Sequence, residues 1–252
     1  MESKIILNVR IDVLNLDQIL DLIYNWIKTK GSKYICCIPI HTIINAQDCK
    51  EVEIALNASN LNTADGMGVV LLLKLYGIKN ASRVYGPDLM DKMCMEYPNL
   101  RYYFLGGTQN SLEKLVTTFQ RKNKNINIVG YSSSKVSLDN LEISEDLLIK
   151  IQSSHPDIIW VGLGSPKQEL WMHENINKFE KVTMIGVGAA FDFLSGNKPQ
   201  APKWIQKSGL EWLFRLLSEP KRLWKRYLIG YPRFFILLLM EFLFKIRKRH
   251  AA

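Results

Sequence analysis

The sequence predicts an α/β fold: a Rossmann-like open, mostly parallel sheet flanked by helices, with a C-terminal basic helical membrane-targeting appendage. Three observations lead there. Short β-rich runs alternate with amphipathic segments. Several of those runs end in glycine, as strands do where ligand loops gather along the carboxyl edge of such a sheet. All the surplus charge of the 252-residue chain, +9, lies in its last fifty residues.

In the first half, Ile5–Val9 reads as a strand, and Asn15 caps a helix over Asp17–Lys28. Ile19, Leu20, Ile23, Trp26 and Ile27 share one face of that helix. Tyr34–Ile40 is a buried strand ended by Pro39, and Thr42–Ala58 is helical. Leu61–Ala64 is a short strand into Asp65-Gly66, Val69–Tyr76 a helix stopped by Gly77, and Pro87 opens a helix over Asp88–Tyr97. In the second half, Arg101–Leu105 runs into Gly106-Gly107, and a helix follows over Ser111–Lys122. Ile126–Val129 is a strand, Lys135–Asn140 a loop and Glu145–Ser153 a helix. Asp157–Val161 leads into Gly162-Leu163-Gly164 and a helix from Pro166, and Val182–Val187 ends at Gly188.

Charge divides the chain at about residue 202. Residues 203–252 hold twelve basic and three acidic side chains, whereas the first 202 hold 21 of each sign. The expected organisation is an α/β catalytic body over 1–202 and a basic amphipathic appendage over 203–252. The appendage also contains three of the six tryptophans, and Phe234–Phe244 is apolar except for Glu241. An arm for nucleic acid has no use for such a run. A membrane-spanning helix needs about 20 apolar residues, and Pro232 and Arg233 end this one early. A segment lying in the lipid interface fits, with Lys245-Ile246-Arg247-Lys248-Arg249 at the headgroups of an anionic membrane. The alternative is packing on the body or between copies of the chain, as a homo-oligomer.

Cys36, Cys37, Cys49 and Cys94 have neither disulfide-framework nor paired CxxC spacing, and the N-terminus lacks a signal-peptide pattern, so a cytosolic chain is expected. His41, His155 and His173 have no metal-ligand spacing, and no Walker loop, GxGxxG, nucleophile elbow or HExxH is present.

Four constellations could carry chemistry. Asp65 in Asn62-Thr63-Ala64-Asp65-Gly66-Met67-Gly68 is either a general base approached closely between glycines or the carboxylate of an Asp-Gly turn. Gly162-Leu163-Gly164-Ser165-Pro166-Lys167-Gln168-Glu169 is either an anion-binding helix start or an ordinary strand-to-helix turn. In Arg83-Val84-Tyr85-Gly86-Pro87-Asp88, Arg83 holds a phosphate or carboxylate, or forms a surface ion pair. Gly188-Ala189-Ala190-Phe191-Asp192 closes the set.

Together with Tyr103–Gly107 (YFLGG) and Gly186–Leu228, the motifs at Ala64–Val70, Arg83–Met90 and Val161–Trp171 resemble the WecG/TagA/CpsF family of bacterial glycosyltransferases over nearly the whole chain. The resemblance implies a metal-independent, inverting transfer from a UDP-sugar to a polyprenyl-diphosphate-linked saccharide, at the cytoplasmic membrane face. The best-known branch adds N-acetylmannosamine to lipid-linked N-acetylglucosamine in wall teichoic acid synthesis. Others serve capsules and exopolysaccharides with other hexoses or hexuronic acids.

Carried over residue by residue, the resemblance makes Asp65 the general base, and Arg83 and Gln168 substrate contacts. Gly106, Gly107, Gly164, Pro166, Lys167, Glu169 and Asp192 are expected around UDP. Arg215, Lys221, Arg222, Lys225 and Arg226 are expected to meet the lipid diphosphate or the membrane. Where the family commonly has Thr-x-Asn at the end of the second strand, this chain has Cys37-Ile38-Pro39, followed by His41, Thr42 and Asn45. Either Thr42 and Asn45 replace that pair through a shifted turn, or the pocket takes another donor or acceptor. Rival readings are a membrane-recruited scaffold that binds UDP without transfer, a nucleic-acid-binding module, and a nicotinamide oxidoreductase.

Overall fold

The computed structural model describes residues 1–134 and 136–250, with side chains as far as Phe244. Lys135 and the basic side chains from Lys245 to Arg249, singled out above, lie outside that description.

The chain opens with a hairpin, β1 (Ser3–Ile6) and β2 (Val9–Asp12), where a single strand is expected. Leu7 and Asn8 turn it with positive φ (46° and 64°), a geometry that Asn tolerates and Leu does not announce. Helix α1 (Leu16–Ile27) is opened by a capping box between Asn15 and Gln18. Strand β3 (Lys33–Ile38) stops before Pro39. The single helix expected next is two, α2 (Ile40–Asp48) and α3 (Lys50–Ala58), because Cys49 is extended between them. Strand β4 (Leu61–Ala64), helix α4 (Met67–Leu75) and helix α5 (Gly86–Glu96) follow.

The second half runs β5 (Tyr102–Gly106), α6 (Gln109–Lys122), β6 (Ile128–Ser132), α7 (Glu145–Ser153), β7 (Ile158–Gly162), α8 (Lys167–Asn175) and β8 (Thr183–Gly186). A short helix, α9 (Ala190–Leu194), was not legible as one in the sequence.

Among the described residues, eight strands form one sheet in the order β1-β2-β4-β3-β8-β7-β5-β6, parallel except for the β1–β2 hairpin. Two apolar layers cover it. One joins Ile43, Val52, Val69 and Trp171, and the other Ile19, Leu89, Phe104, Leu115 and Phe191. Both faces being covered, β3, β5 and β7 are almost continuously buried, which is why they read as apolar runs rather than alternating ones. The strand order reverses at β3 and β8, where the chain continues to β4 on one side and β7 lies on the other. An open α/β sheet offers a ligand crevice at such a point, beyond the strands' carboxyl ends.

From residue 203 the chain is helical: α10 (Lys203–Ser208), α11 (Glu211–Ser218) and α12 (Pro220–Trp224). A π-helical turn (Lys225–Gly230) then joins α12 to α13 (Tyr231–His250). Pro232 and Arg233 therefore do not end the apolar run, contrary to the expectation. The wider π turn sits just ahead of Pro232, where an α-helix would bring a carbonyl against the proline ring. The result is a 25-residue stretch, Pro220–Phe244, long and apolar enough by length and composition to cross a membrane.

One side of this helix is bound to the body. Leu223, Tyr227 and Phe234 are buried, Gly230 lets the backbone approach Ile44, and Arg233 makes a two-pronged ion pair with Asp48 (2.5 and 2.6 Å). Phe235, Ile236, Leu239, Met240, Phe242, Leu243 and Phe244 are exposed.

Candidate active site

Asp65 stands at the first position after β4, and its N–H donates to the Ile38 carbonyl at 3.1 Å, which places it beside the end of β3. Gly66 follows with φ +90°, and a Cβ on Gly68 would fall 2.5 Å from Ile40 Cδ1. These two glycines allow α4 to start close under α2. Arg83 is brought to the same place because the Val84 N–H donates to the Ala64 carbonyl at 2.9 Å. Its guanidinium lies over the Tyr85 ring, 3.9 Å from the centroid, and its Nη2 reaches Glu211 of α11 at 2.6 Å and Asp65 at 3.6 Å.

Two cavities meet at this carboxylate. The larger, about 690 Å³, opens over the ends of β3, β7 and β8, and is lined by Thr42, Asn45, Gln168 and Asp192 with Arg215, Arg222, Lys225 and Arg226. The second, about 490 Å³, is walled by Met67, Leu71, Trp212, Leu228, Pro232 and Phe235, with Arg83 and Glu211 at its polar end. Pro39, His41, Asp65, Tyr85 and Arg215 line both.

The electrostatics of the larger cavity suit an anion. Burial, and then the like charges of Arg215 and Arg222, lower Arg226 to about 10. Burial, then Arg226, Arg215 and Arg222, push His41 well below its ordinary value, so its imidazole is neutral. Crowded cations in a partly desolvated site are relieved by a bound phosphate. Burial also raises Asp65 to about 6, against the opposing pull of Arg83 and with reinforcement from Glu211. A carboxylate titrating there is matched to proton abstraction near neutrality.

Gln168 is fixed on both sides of its amide. Its Oε1 accepts from the Gly188 N–H at 3.0 Å, and its Nε2 donates to Glu169 Oε1 at 2.9 Å. The Thr42 hydroxyl is 3.0 Å from that of Ser165. Thr42 and Asn45 do line the larger cavity, but so do Cys37 and Pro39.

Several residues expected around a ligand stand elsewhere. Gly106 ends β5 and Gly107 follows it, two strands away from β8, and neither lines either cavity. Gly106 serves packing, since a Cβ there would lie 2.7 Å from the Gly162 backbone. Glu169 is fully buried behind Gln168, and burial raises its pKa; Lys167 is off both walls, as is the exposed Lys221. Gly164, Pro166 and Asp192 do line the larger cavity. The reading of the residues missed Tyr85, whose buried hydroxyl has no hydrogen-bond partner, and Glu211. Both sit inside the motifs quoted above, yet neither has a spacing that announces a role. Among the described residues no group of three or more His, Cys, Asp or Glu gathers as a metal site would.

Comparison with known proteins gives this geometry a context. The chain is similar to the N-acetylglucosaminyldiphosphoundecaprenol N-acetyl-beta-D-mannosaminyltransferase of Bacillus spizizenii, with 34% identity over 178 residues, 70% of this chain and 67% of the relative. It is similar to the protein of the same description from Bacillus subtilis, with 32% identity over 188 residues, 74% and 71% of the two chains. The profile of the Glycosyl transferase WecG/TagA/CpsF family matches residues 4–248, nearly end to end. With a polar, cationic cavity and an apolar one meeting at a single carboxylate, this chain belongs to the WecG/TagA/CpsF family and is a glycosyltransferase.

Proposed function

We propose that the protein transfers N-acetylmannosamine from its UDP-sugar to N-acetylglucosamine carried on a polyprenyl diphosphate, in the synthesis of a cell-surface polymer such as teichoic acid. The observation that carries this reading is the position of Asp65 on the wall common to both cavities. The cationic cavity suits a nucleotide diphosphate, and the apolar one a lipid-linked acceptor whose sugar reaches Asp65. The names of the two relatives supply the sugars.

In the proposed reaction Asp65 takes the proton from the acceptor hydroxyl as its oxygen bonds to the anomeric carbon. The bond from that carbon to the diphosphate oxygen breaks, and UDP leaves with the electron pair. Attack opposite the leaving group inverts the configuration. Arg215, Arg222, Lys225 and Arg226 meet the charge that develops on UDP, so no metal ion is required. Gln168, held by Gly188 and Glu169, and the unpartnered Tyr85 hydroxyl orient the donor sugar. The enzyme works at the inner membrane face, held there through α13.

The test incubates the full chain with a panel of UDP-sugars and a short polyprenyl-diphosphate N-acetylglucosamine, with EDTA present. UDP-N-acetylmannosamine should yield an inverted disaccharide lipid. Transfer only in the presence of added metal, or UDP binding without transfer from any donor, would overturn the proposal. The second reading, another hexose or hexuronic acid donor, is favoured by Cys37 and Pro39 on the cavity wall and predicts a different productive member of the same panel.

A further inference from the structure

Arg83 stands between two carboxylates. Its Nη2 is 2.6 Å from Glu211 and 3.6 Å from Asp65, and all three side chains are largely buried, with 13%, 13% and 20% exposure respectively. Asp65 and Arg83 belong to the body, whereas Glu211 is the first residue of α11. The Arg83 guanidinium lies on the Tyr85 ring, with its Nη2 drawn to Glu211 rather than to Asp65. Glu211 thus holds the nearer end of the only guanidinium within 4.0 Å of Asp65 among the described residues.

We propose that Glu211 is a positioning residue for the reaction: by holding Arg83, it prevents a closed Arg83–Asp65 ion pair and leaves the Asp65 carboxylate available to take a proton. The inference rests on the reading of Asp65 as general base. Without Glu211, Arg83 is released to pair directly with Asp65, and a carboxylate in a direct guanidinium pair is a weaker base. The consequence reaches beyond one side chain, because Glu211 is delivered by α11. Seating of the C-terminal helices over the two cavities then sets the charge balance at the base.

The other groups around Asp65 do not supply this function. Cys37, at the end of β3, and Tyr85 are held protonated by burial, as is Tyr231 of α13. His41 of α2 is neutral, and Arg215 of α11 acts on Asp65 with the sign opposite to Glu211.

The experiment follows the Asp65 carboxyl directly by carbon-detected NMR titration of the full chain, its signal assigned by absence from Asp65→Asn. In Glu211→Gln the midpoint should fall by about one pH unit. Turnover with acceptor at neutral pH should fall about tenfold, with the KM for UDP-sugar unchanged, and Glu211→Asp should restore both. In an Arg83→Gln background, Glu211→Gln should shift the midpoint much less. An unmoved midpoint in folded Glu211→Gln would overturn the proposal, as would a shift that persists in full without Arg83. Failure of Glu211→Gln to fold would do so too, since it would show a purely structural pair. Full activity of Asp65→Asn would sink the general-base reading instead, with the titration shift still measurable.

Discussion

At Asp65, burial works against the fold and for the chemistry. An aspartate ordinarily loses its proton near 3.8, but here holds it up to about pH 6. The folded chain therefore binds more protons than the unfolded one between those values, and stability falls as pH rises through that window. Asp65→Asn should raise the Tm at pH 8, corresponding to at most about 3 kcal/mol, with the gain vanishing below pH 4. The same variant should lose about 10²–10⁴-fold in turnover and keep its affinity for UDP, as measured by calorimetry. In the unsubstituted protein kcat/KM should decline below about pH 6 as the base becomes protonated. Gly106 gives the contrasting case. Gly106→Ala meets the Gly162 backbone and carries φ +109°, so it should cost about 1–3 kcal/mol in denaturant unfolding. The folded fraction should turn over nearly normally, because Gly106 is off both cavity walls. Loss of UDP binding with unchanged stability would return Gly106 to the nucleotide site.

Individual elements were legible where short-range chemistry decides them. Asn15 and Gln18 form the capping box that starts α1, and Pro39 and Pro87 mark boundaries. Pro232 misled, because a proline in isolation argues for an end, while the π turn upstream and the packing of Tyr227, Tyr231 and Trp212 carry the helix through it. The hairpin at Leu7-Asn8 escaped notice for a related reason: its left-handed turn is stabilised by strand pairing that no local pattern displays. Helix α13 is divided between a bound side and an exposed apolar one, which makes a clean test possible. Leu239→Asp with Phe242→Asp should abolish sedimentation with anionic vesicles, while changing the Tm little, because both side chains are exposed. Retained vesicle binding would show that α13 is not the membrane contact. Leu239 and Phe242 touch neither cavity, so transfer to a water-soluble acceptor analogue should survive in the same protein.

Across the whole molecule, the sheet order explains which expected site residues met and which did not. The carboxyl ends of β4, β3, β8 and β7 are consecutive neighbours, so Asp65, Thr42, Asn45, Gly188, Gly164 and Gln168 come from loops, or from the helices that follow them, facing one crevice. The loop after β5 lies one strand further out and lines neither cavity. The C-terminal helices complete the crevice by adding Arg215, Arg222, Lys225 and Arg226 to the polar cavity, and Trp212, Leu228 and Phe235 to the apolar one. The described basic side chains of the C-terminal segment are thereby divided between those that line the cavity, such as Arg215 and Arg226, and exposed ones such as Lys207 and Lys221.

The sequence by itself determined the α/β class, the alternation of strands and helices, the separation of a neutral part from a basic apolar one, and the motif residues around Asp65. Each follows from composition, periodicity or local backbone preference, which act over a few residues. Tertiary structure alone decided that Glu211 and Arg83, 128 positions apart, share an ion pair beside Asp65, that Glu169 faces inward, and that one carboxylate divides two cavities. Those outcomes depend on which strands become neighbours and where the last helices land, and such long-range pairings leave no periodic trace in the chain.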